Sequence, residues 1–516
     1  MIGVKGVGMT MLAQFFAGNN IEVVGSDTAE KFMTDESLRR VGVKIIEKFD
    51  ESNIPKDAQL IVYSTAYNAE RNVEVAAALG GKIRTLTYAQ AMGEVFNQKY
   101  GIAVVGSHGK TTTTAWLGFV LDQCGIEPNV MVGSIVPQFD GPSLVSKSDI
   151  LIIEADEYQN KLQYFNPRAV LLNNIDYDHP DFFPTPEEYQ NVFIEFIKRI
   201  PAKGFLVTNF DDPIIRKIAS VNCRGRVVSY AINEISSFAK ASSVAKAMED
   251  RSEDKADYVA YDLRSFNGEQ YFKVKMNNNL SSWSGAERSD RISTSNQQTR
   301  DSIAPTKASG LQNDNSILGD FKIKLLGEHN ISNALAVIAA SIELEAPLSA
   351  IREHLAEFTG TARRMQRLGV FNGAIIYDDY AHHPAEIKAT LVGCRQLYPH
   401  TPGGVGVYPK NKLTVVFHPH TFTRTKVLLD DFAKSFTDAD QVIVLDIYGS
   451  AREQQGGVHA KDLVEKIIAN GHGNVKYIPS LKEAEDYLRK NVERGEVVVL
   501  MGAGDVFRVG ENLLKQ

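Results

Sequence analysis

The sequence has few cysteines and no long hydrophobic run. Its 516 residues include three cysteines, which are widely separated and form no Cys-x-x-Cys pair. This pattern excludes a disulfide framework and a cysteine-rich zinc site, and it favours a reducing compartment. No apolar stretch of about 18 residues is present, and the N-terminus lacks the basic and apolar segments of a signal peptide. We therefore expect a cytoplasmic protein without membrane insertion.

The sequence also lacks an excess of basic residues. Its 56 Lys and Arg against 63 Asp and Glu give a formal net charge of −7, and the basic residues are scattered along the chain. We therefore expect no nucleic-acid partner. The hydrophobic content of 43% is ordinary for a globular protein. Because one domain usually has roughly 100–200 residues, the length predicts about three domains.

The first residues form a Gly-rich turn that leads into a helical pattern. The turn contains Gly6 and Gly8, and a strand-like segment at 21–24 is followed by Ser26 and Asp27. This order predicts a βαβ unit without most of its first strand, which leaves open whether the N-terminus is truncated. Such glycines let backbone amides approach a diphosphate. The spacing is G-x-x-G-x-G rather than G-x-G-x-x-G, so a turn that only packs a helix on a sheet remains the alternative.

A second strand, loop and helix begin at residue 101. The apolar residues 101–105 precede a loop made of Gly106, Ser107, His108, Gly109, Lys110, Thr111 and Thr112. Amides at a helix start, the Lys110 charge and the Thr111 hydroxyl suit the phosphates of ATP and Mg²⁺. The strict Walker pattern is not met, because Val104 occupies the place of its first glycine. The strand before the loop and the helix after it nevertheless predict phosphate binding.

Acidic motifs follow two further predicted strands. Glu154 ends the strand at 149–153, and His179 lies in a carboxylate-rich loop after the strand at 169–172. The carboxyl ends of parallel strands meet at one edge of a sheet, where phosphates and Mg²⁺ bind. We predict that Glu154 binds Mg²⁺ together with Thr111. A solvated turn is the alternative for the first motif, and a simple hydrogen-bonded histidine is the alternative for the second.

Polar motifs follow two strands in the last third of the chain. One contains Asp379, Tyr380 and His382, and the other contains Arg424. The four histidines of these motifs suggest zinc, but a His-Pro-His sequence does not readily present both rings to one tetrahedral metal. We expect these motifs to bind a small zwitterion or the ribose of ATP, with Arg424 matched to a carboxylate.

Residues 277–320 differ from the rest of the chain in composition. They are rich in Ser, Asn, Asp and Gln and have almost no apolar periodicity. Such a segment buries too little apolar area to offset the entropy of ordering, so we predict a disordered surface insertion.

The ordered set of motifs resembles the Mur ligase family. The matching segments are the Gly-rich start, GSHGKTTTT, EADEY, NNIDYDHPD, LGEHNISNALA, FTGTARRMQRLG, DDYAHHPAEIKATL, HPHTFTRT and MGAGD. The resemblance covers nearly the whole chain and implies an α/β fold of three domains. These are a Rossmann-like domain at 1–98 for a UDP-sugar, a P-loop ATPase-type domain with a parallel-rich sheet at 99–355, and a Rossmann-like domain at 356–516 that closes over ATP and the amino acid.

The resemblance implies an ATP-dependent amide-bond-forming ligase of peptidoglycan precursor synthesis. The motifs are most similar to the branch that activates the lactyl carboxylate of UDP-N-acetylmuramate as an acyl phosphate, which the amine of L-alanine then attacks. The alternatives are a recycling ligase that attaches a murein tripeptide to the same UDP-sugar, and a non-catalytic Mur-like ATP-binding subunit. The preference among L-alanine, glycine and L-serine stays open, as does the oligomeric state.

The resemblance also implies roles for single residues. Thr111 and Glu154 would hold one Mg²⁺, and Glu154 and His179 would share a second. The residues implied in catalysis are Lys110, Glu154, His179, His382 and Arg424. Those matched to the adenine, phosphate and ribose contacts of ATP are Asn330, Asn333, Arg364 and Asp379. Those matched to the amino-acid pocket are Tyr380, His382 and Arg424. Those matched to UDP contacts are Gly6, Gly8, Ser26, Asp27 and Ser64.

Two positions depart from the family pattern. Thr421 stands where many relatives have an arginine, which weakens any prediction of how the alanine carboxylate is held. Several sister ligases have a carbamoylated lysine one helix after the His179 motif, but residues 189–194 contain no lysine. This second departure favours the L-alanine branch, which also lacks that lysine.

Overall fold

The computed structural model describes residues 1–232, 256–266, 268–277, 316–399, 411–449 and 456–515. Most of the insertion predicted at 277–320 lies outside these residues. Within them the chain forms three units, each built around its own layer of strands. None of the helices in these ranges is both long and apolar enough to cross a bilayer. The predicted domain boundaries at 98/99 and 355/356 stay a prediction.

The N-terminal unit is a small parallel α/β layer. Its elements are α1 (Val7–Gly18), β1 (Val24–Ser26), α2 (Asp35–Arg40), β2 (Lys44–Ile46), β3 (Ile61–Tyr63), α3 (Val73–Gly80), β4 (Thr85–Thr87) and α4 (Tyr88–Asn97). Strand β1 pairs with β2, and β3 pairs with β4. Ile2 makes parallel bridges to Ser26 and Tyr63 and so joins the two pairs. The strand predicted at 21–24 begins only at Val24, because the amide of Ile21 still bonds to Phe16 at the end of α1.

The central unit is a large sheet with helices on both faces. Its first elements are β5 (Tyr100–Val105), α5 (Lys110–Gln123), β6 (Asn129–Val136), β7 (Gly141–Leu144), β8 (Ile150–Glu154), β9 (Ala169–Leu172), α6 (Pro186–Ile197), β10 (Phe205–Asn209) and α7 (Pro213–Asn222). The remaining elements are β11 (Arg226–Ile232), β12 (Tyr258–Phe266), β13 (Glu269–Met276), β14 (Ser316–Ile323), α8 (Glu328–Glu343) and α9 (Leu348–Leu355).

The ten strands of this sheet run in the order β14-β13-β12-β11-β10-β9-β5-β8-β6-β7. The strands from β12 to β6 in this order are parallel, and antiparallel strands flank them at both edges. Parallel strands that are covered on both faces have continuous apolar sequences. Residues 102–105 of β5 are such a sequence, and all four are fully buried. The parallel-rich sheet predicted for this part of the chain is therefore confirmed.

The two faces of the central sheet have separate cores. On one face α5 and α8 pack against the strands, and Trp116 of α5 stacks on Phe358 with 5.3 Å between ring centroids. The indole also donates to the carbonyl of Leu355 at 3.2 Å. On the other face, Met11 and Phe15 of α1 join a core with residues of α4, α6 and α7, so the N-terminal and central units share one apolar layer.

The C-terminal unit is a second parallel sheet covered by helices. Its elements are β15 (Gln366–Phe371), β16 (Ala374–Asp379), α10 (Pro384–Leu397), β17 (Leu413–Phe417), α11 (Phe422–Val427), α12 (Leu429–Ala433), β18 (Gln441–Val444), α13 (Ala460–Ala469), β19 (Val475–Tyr477), α14 (Leu481–Asn491), β20 (Val497–Met501) and α15 (Phe507–Leu514). The order is β15-β16-β20-β17-β18-β19, and only β15 is antiparallel. Both strands predicted before the polar motifs of the last third of the chain form, as β16 and β17.

Candidate active site

The loop between β5 and α5 has a shape that requires glycine at both ends. Gly106 has φ +129° and Gly109 has φ +78°, and both values lie in the region that side chains rarely adopt. A Cβ atom on Gly106 would lie 2.9 Å from the carbonyl oxygen of Asn174. A Cβ atom on Gly109 would lie 2.5 Å from Oδ1 of Asn333. The loop therefore lies close against its neighbours, and α5 begins at Lys110 with its first amides free for an anion.

Lys110 folds back over this loop. Its ammonium group donates to the carbonyls of Gly106 and Ser107 and lies 3.0 Å from Oε2 of Glu157. Tyr189 of α6 donates to the other oxygen of this carboxylate at 3.0 Å. Burial alone would lower the pKa of Lys110, but the negative charges at the end of β8 raise it above its ordinary value. Lys110 is therefore a charged group beside the phosphate loop.

The predicted metal ligands fall into two groups. The hydroxyl of Thr111 donates to Oε1 of Glu154 at 2.8 Å, so this predicted pair is together. His179 instead lies with Asp156 and Glu157, and one ligand atom of each lies within 4.8 Å of the others. Carboxylates beside a phosphate loop are the ligands that Mg²⁺ takes in phosphate sites, so the residues fit this ion. Asp156 and Glu157 were not predicted as ligands, although the signal, three carboxylates in four residues, was in the sequence.

A cavity of about 570 Å³ lies between the central and C-terminal units. This volume is within the usual range for a small-molecule site. The predicted ATP contacts that line it are His108, Gly109, Thr112, Asn330, Asn333, Arg364 and Asp379. Asp176, His329 and Glu386 also line it and were not predicted. The structure thus brings the phosphate loop, the start of α8 and the C-terminal unit around one space.

Arg364 and Asp379 approach this cavity from the C-terminal unit. The guanidinium of Arg364 lies over the ring of Tyr380 at 5.4 Å. Asp379 accepts hydrogen bonds from the amides of Met365 and Ala381 at 2.7 and 2.9 Å. Burial raises the pKa of Asp379. Asp379 therefore holds the backbone just after Arg364 and just after Tyr380, in addition to lining the cavity.

Arg363 is a buried anchor that sequence reasoning missed. Its Nε donates to Oδ2 of Asp378 at 3.0 Å, and Nη2 donates to the carbonyls of Gly502 and Gly504 at 2.8 and 2.9 Å. The same guanidinium makes a cation–π contact with Tyr380, at 4.9 Å from the ring centroid. These contacts fix the segment that carries Arg364. The signal available in the sequence was the Arg-Arg pair of the motif FTGTARRMQRLG.

Arg424 joins the C-terminal unit to the central unit. Its Nε and Nη2 donate to the two oxygens of Asp178 at 2.9 and 3.3 Å. The two residues are 4% and 5% exposed, so the pair is shielded from water. Burial alone would raise the pKa of Asp178, but the Arg424 guanidinium holds it well below its usual range. The predicted match of Arg424 to a substrate carboxylate stays a prediction, because here the guanidinium engages a carboxylate of the chain.

His382 lies beside this pair as a neutral imidazole. Its Nδ1 is 2.9 Å from the carbonyl oxygen of Tyr380. A carbonyl only accepts, so Nδ1 carries the proton and Nε2 keeps a lone pair. Burial lowers the pKa of His382 to about 3, which keeps the ring neutral near pH 7. The side chain therefore offers one acceptor beside Arg424.

The residues matched to UDP contacts lie around the turn that precedes α1. The hydroxyl of Ser26 donates to Glu74 at 2.8 Å, and Asp27 accepts from the amide of Lys5 at 2.7 Å. The amide of Ser64 donates to the carbonyl of Ile2 at 2.9 Å. Ser26 and Asp27 are both buried, so their side chains shape the turn from inside.

The two glycines of this turn differ in what surrounds them. Gly6 precedes the first residue of α1 with an ordinary φ of −61°. A Cβ atom on Gly8 would lie 2.9 Å from the ring of Tyr88. Gly8 is thus required for packing α1 against α4, which was the structural alternative for this turn. The UDP contacts themselves stay a prediction.

Three family models match the chain in succession. The model described as Mur ligase family, catalytic domain matches residues 1–100, the Mur ligase middle domain matches 104–278, and the Mur ligase, glutamate ligase domain matches 363–504. The UDP-N-acetylmuramate–L-alanine ligase of Desulfitobacterium hafniense is 33% identical over 514 residues, which cover 99% of this chain and 98% of that protein. The enzyme of the same name from Acetivibrio thermocellus is 33% identical and is covered over 95% of its length.

Solved structures share the same overall architecture. The UDP-N-acetylmuramate–alanine ligase of Thermotoga maritima has a TM-score of 0.72 and 21% identity, with 100% of this chain and 97% of that chain covered. A murein peptide ligase from Psychrobacter arcticus has a TM-score of 0.67 and 21% identity, with coverages of 99% and 97%. These similarities confirm the predicted three-domain α/β fold. Because both kinds of ligase share it, the fold does not separate an alanine substrate from a peptide substrate.

Proposed function

The chain belongs to the Mur ligase family, and we propose that it is an ATP-dependent ligase that joins L-alanine to UDP-N-acetylmuramate in peptidoglycan precursor synthesis. One observation carries the proposal. Residues of the phosphate loop, Asp176 after β9 and the start of α8 face Arg364 of the C-terminal unit across one cavity of about 570 Å³. Full-length relatives at 33% identity are named for this reaction, which supports the choice of both substrates.

The proposed reaction has two covalent steps. An oxygen of the lactyl carboxylate attacks the γ-phosphorus of ATP, the bond to the bridging oxygen breaks, and ADP leaves. The amine nitrogen of L-alanine then attacks the carbonyl carbon of the acyl phosphate, and the carbon–oxygen bond breaks to release inorganic phosphate. The amine loses its proton, so the amide product is neutral at nitrogen.

The first step brings two anions together, and the chain supplies positive charge for it. The ammonium of Lys110, which lies 3.0 Å from Glu157, would turn to the phosphates when ATP enters the loop. Free amides at the start of α5 add hydrogen bonds to the phosphate oxygens. When bound, Mg²⁺ neutralises charge on the same oxygens, and Thr111, Glu154 and His179, with Asp156 and Glu157, are the residues that would hold it.

The second step needs a pocket for a small zwitterion. We assign the α-carboxylate of L-alanine to Arg424, because a guanidinium binds a carboxylate through two parallel hydrogen bonds. Asp178 holds this guanidinium in the structure and would be displaced by the substrate. The lone pair of His382 Nε2 would accept a hydrogen bond from the amine. Tyr380, whose ring contacts the guanidinium groups of Arg363 and Arg364, would form a wall of this pocket.

We also propose a cytoplasmic location, which the three free cysteines support, since a reducing compartment keeps thiols unpaired.

Phosphate release tests the proposal and its rivals in one experiment. The protein is incubated with ATP, Mg²⁺ and UDP-N-acetylmuramate, together with L-alanine, with the murein tripeptide, or with no amine. We expect phosphate release that depends on both the UDP-sugar and L-alanine. Release with the tripeptide alone would assign the chain to the recycling ligases, and no release with any amine would support the non-catalytic subunit.

A further inference from the structure

The ring of His108, in the phosphate loop, lies between two carboxylates from different units. Nε2 is 3.4 Å from Oδ2 of Asp176, which follows β9. Nδ1 is 3.3 Å from Oε1 of Glu386, which belongs to the first turn of α10. A neutral imidazole has one donor nitrogen and one acceptor nitrogen, whereas a ring that faces a carboxylate on each side donates from both. Neither nitrogen makes a hydrogen bond of good geometry, but a carboxylate oxygen within 3.4 Å of each one favours the imidazolium form of His108.

The surrounding charges agree with this protonation state. Burial alone would lower the pKa of His108, but the neighbouring carboxylates of Asp176 and Glu386 raise it to about 9. Two other titratable groups face the ring. His383 lies 4.7 Å away between ring centroids, and burial lowers its pKa. Burial lowers the pKa of His329 to about 4, so neither ring is charged near pH 7. His108 therefore adds a second positive charge to the loop that carries Lys110.

Glu386 contacts more than the phosphate loop. Its Oε1 is 3.5 Å from Nη1 of Arg364, and its Oε2 accepts the backbone amide of His382 at 3.1 Å. The Nδ1 atom of His382 is 3.4 Å from the same oxygen. The side chain of Glu386 is 9% exposed, so these contacts are made with little competition from water. One carboxylate thus touches a group of the phosphate loop, a group that lines the nucleotide cavity and a group beside Arg424.

We propose that Glu386 is a positioning residue that assembles the nucleotide site and the amino-acid site together. From the C-terminal unit it holds the His108 imidazolium against the central unit, and it orients Arg364 and His382 at the same time. The second cation of the phosphate loop is thus held by Asp176 of the central unit on one side and by Glu386 of the C-terminal unit on the other. This inference rests on the proposed ligase function, because the amino-acid site is part of that proposal.

A double-mutant cycle tests whether Glu386 acts through His108. We expect Glu386→Gln and His108→Asn each to lower kcat/KM for ATP by about tenfold to a hundredfold, the usual range for a lost hydrogen bond to a buried charged group. The double variant should lose less than the product of the two single losses, because the His108–Glu386 contact is broken in both single variants and can be lost only once. Losses that multiply in the double variant would overturn the proposal.

The chain offers a matched control at its surface. His354 and Glu357 form another His–Glu pair at 2.8 Å, with side chains 18% and 50% exposed. His354→Asn and Glu357→Gln should each leave kcat/KM for ATP within about twofold of the unaltered enzyme, since exposed pairs contribute little. If these control variants lost as much kcat/KM for ATP as Glu386→Gln does, the loss in Glu386→Gln would not depend on its place in the site. That result would contradict a positioning role.

Titration of His108 gives a readout that does not depend on turnover. In the full-length protein labelled with ¹⁵N-histidine, the His108 signal is the one that disappears in His108→Asn. We expect it to stay protonated to about pH 9 in the unaltered protein, and to lose its proton at least one pH unit lower in Glu386→Gln. Glu386→Asp keeps the charge but draws it away from the ring, so it should shift the titration the same way by a smaller amount, and it keeps the test open if Glu386→Gln does not fold. An unchanged titration in the folded variants would refute the proposal.

The two proposals fail in different ways. If the unaltered enzyme releases no phosphate with any amine, the ligase function is wrong, but the histidine titration and the binding of ADP remain measurable. If the unaltered enzyme is an active ligase and the titration of His108 does not depend on Glu386, the positioning role alone is wrong.

Discussion

The Asp178–Arg424 pair gives a prediction whose size follows from its burial. Arg424→Met keeps the length of the side chain but leaves the Asp178 carboxylate buried without its partner, and Asp178→Asn leaves the guanidinium unpaired. Breaking a buried ion pair from one side costs about 3–5 kcal/mol, whereas replacing both charges together is often near neutral. We therefore expect each single variant to lose about 3–5 kcal/mol and the double variant to lose about 1 kcal/mol or less.

Urea unfolding followed by circular dichroism measures these free energies. Glu195→Gln is the control, because its pair with Lys198 spans 2.7 Å at the surface, with side chains 66% and 45% exposed, and should contribute about 0–1 kcal/mol. Single variants as stable as this control, or a double variant that loses the sum of both, would refute the account of the pair.

The same pair predicts a pH dependence with a defined sign. The folded-state pKa of Asp178 is held well below its usual range, so the unfolded chain binds this proton more readily than the folded one. The contribution of the pair is therefore complete above the unfolded value of about 3.9 and is lost as the pH falls through the folded value. The stability difference between the unaltered protein and Arg424→Met should be constant from pH 6 to 7 and shrink below about pH 4.

Three further changes test the loop and the core. Lys110→Ala should abolish turnover and leave UDP-sugar binding, measured by calorimetry, near normal; retained turnover would contradict its phosphate role. Gly109→Ala should lose ATP binding, because its Cβ atom would lie 2.5 Å from Asn333. Gly125→Ala is the control, since Gly125 has the same φ of +78° in open space, and this change should cost only about 1–2 kcal/mol of stability. Equal loss of ATP binding in both would show that strain rather than crowding matters. Phe358→Ala, which removes the ring stacked on Trp116, should lower the free energy of unfolding by about 3–5 kcal/mol in the same urea assay; a loss under 1 kcal/mol would mean that this part of the core repacks.

Sequence reasoning worked best where the information is local. The phosphate loop was predicted from adjacent residues, and the structure places it between β5 and α5 with glycine at both bends. The placement of Glu154 beside Thr111 followed from the rule that the ends of parallel strands converge. In both cases short-range pattern and sheet geometry are sufficient, because neither depends on how distant units pack.

The contacts between units could not be predicted in this way. Arg424 pairs with Asp178 across 246 residues of sequence, and the glutamate that holds His108 lies on a helix of another unit. Nothing in the local pattern around Glu386 distinguishes it from an ordinary acidic residue in the first turn of a helix, where carboxylates are favoured anyway. The grouping of His179 with Glu157 likewise depends on the fold of the loop after β9, in which His179 itself has a φ of +55°.

The central claim is that the carboxylate of the UDP-sugar becomes an acyl phosphate. UDP-N-acetylmuramate labelled with ¹⁸O in its lactyl carboxylate tests this most directly, because the oxygen that attacks ATP leaves with phosphate in the second step. With ATP, Mg²⁺ and L-alanine, mass spectrometry should find one ¹⁸O atom in each released phosphate when both carboxylate oxygens are labelled. Unlabelled phosphate would mean that water attacks ATP, and it would contradict the ligase mechanism.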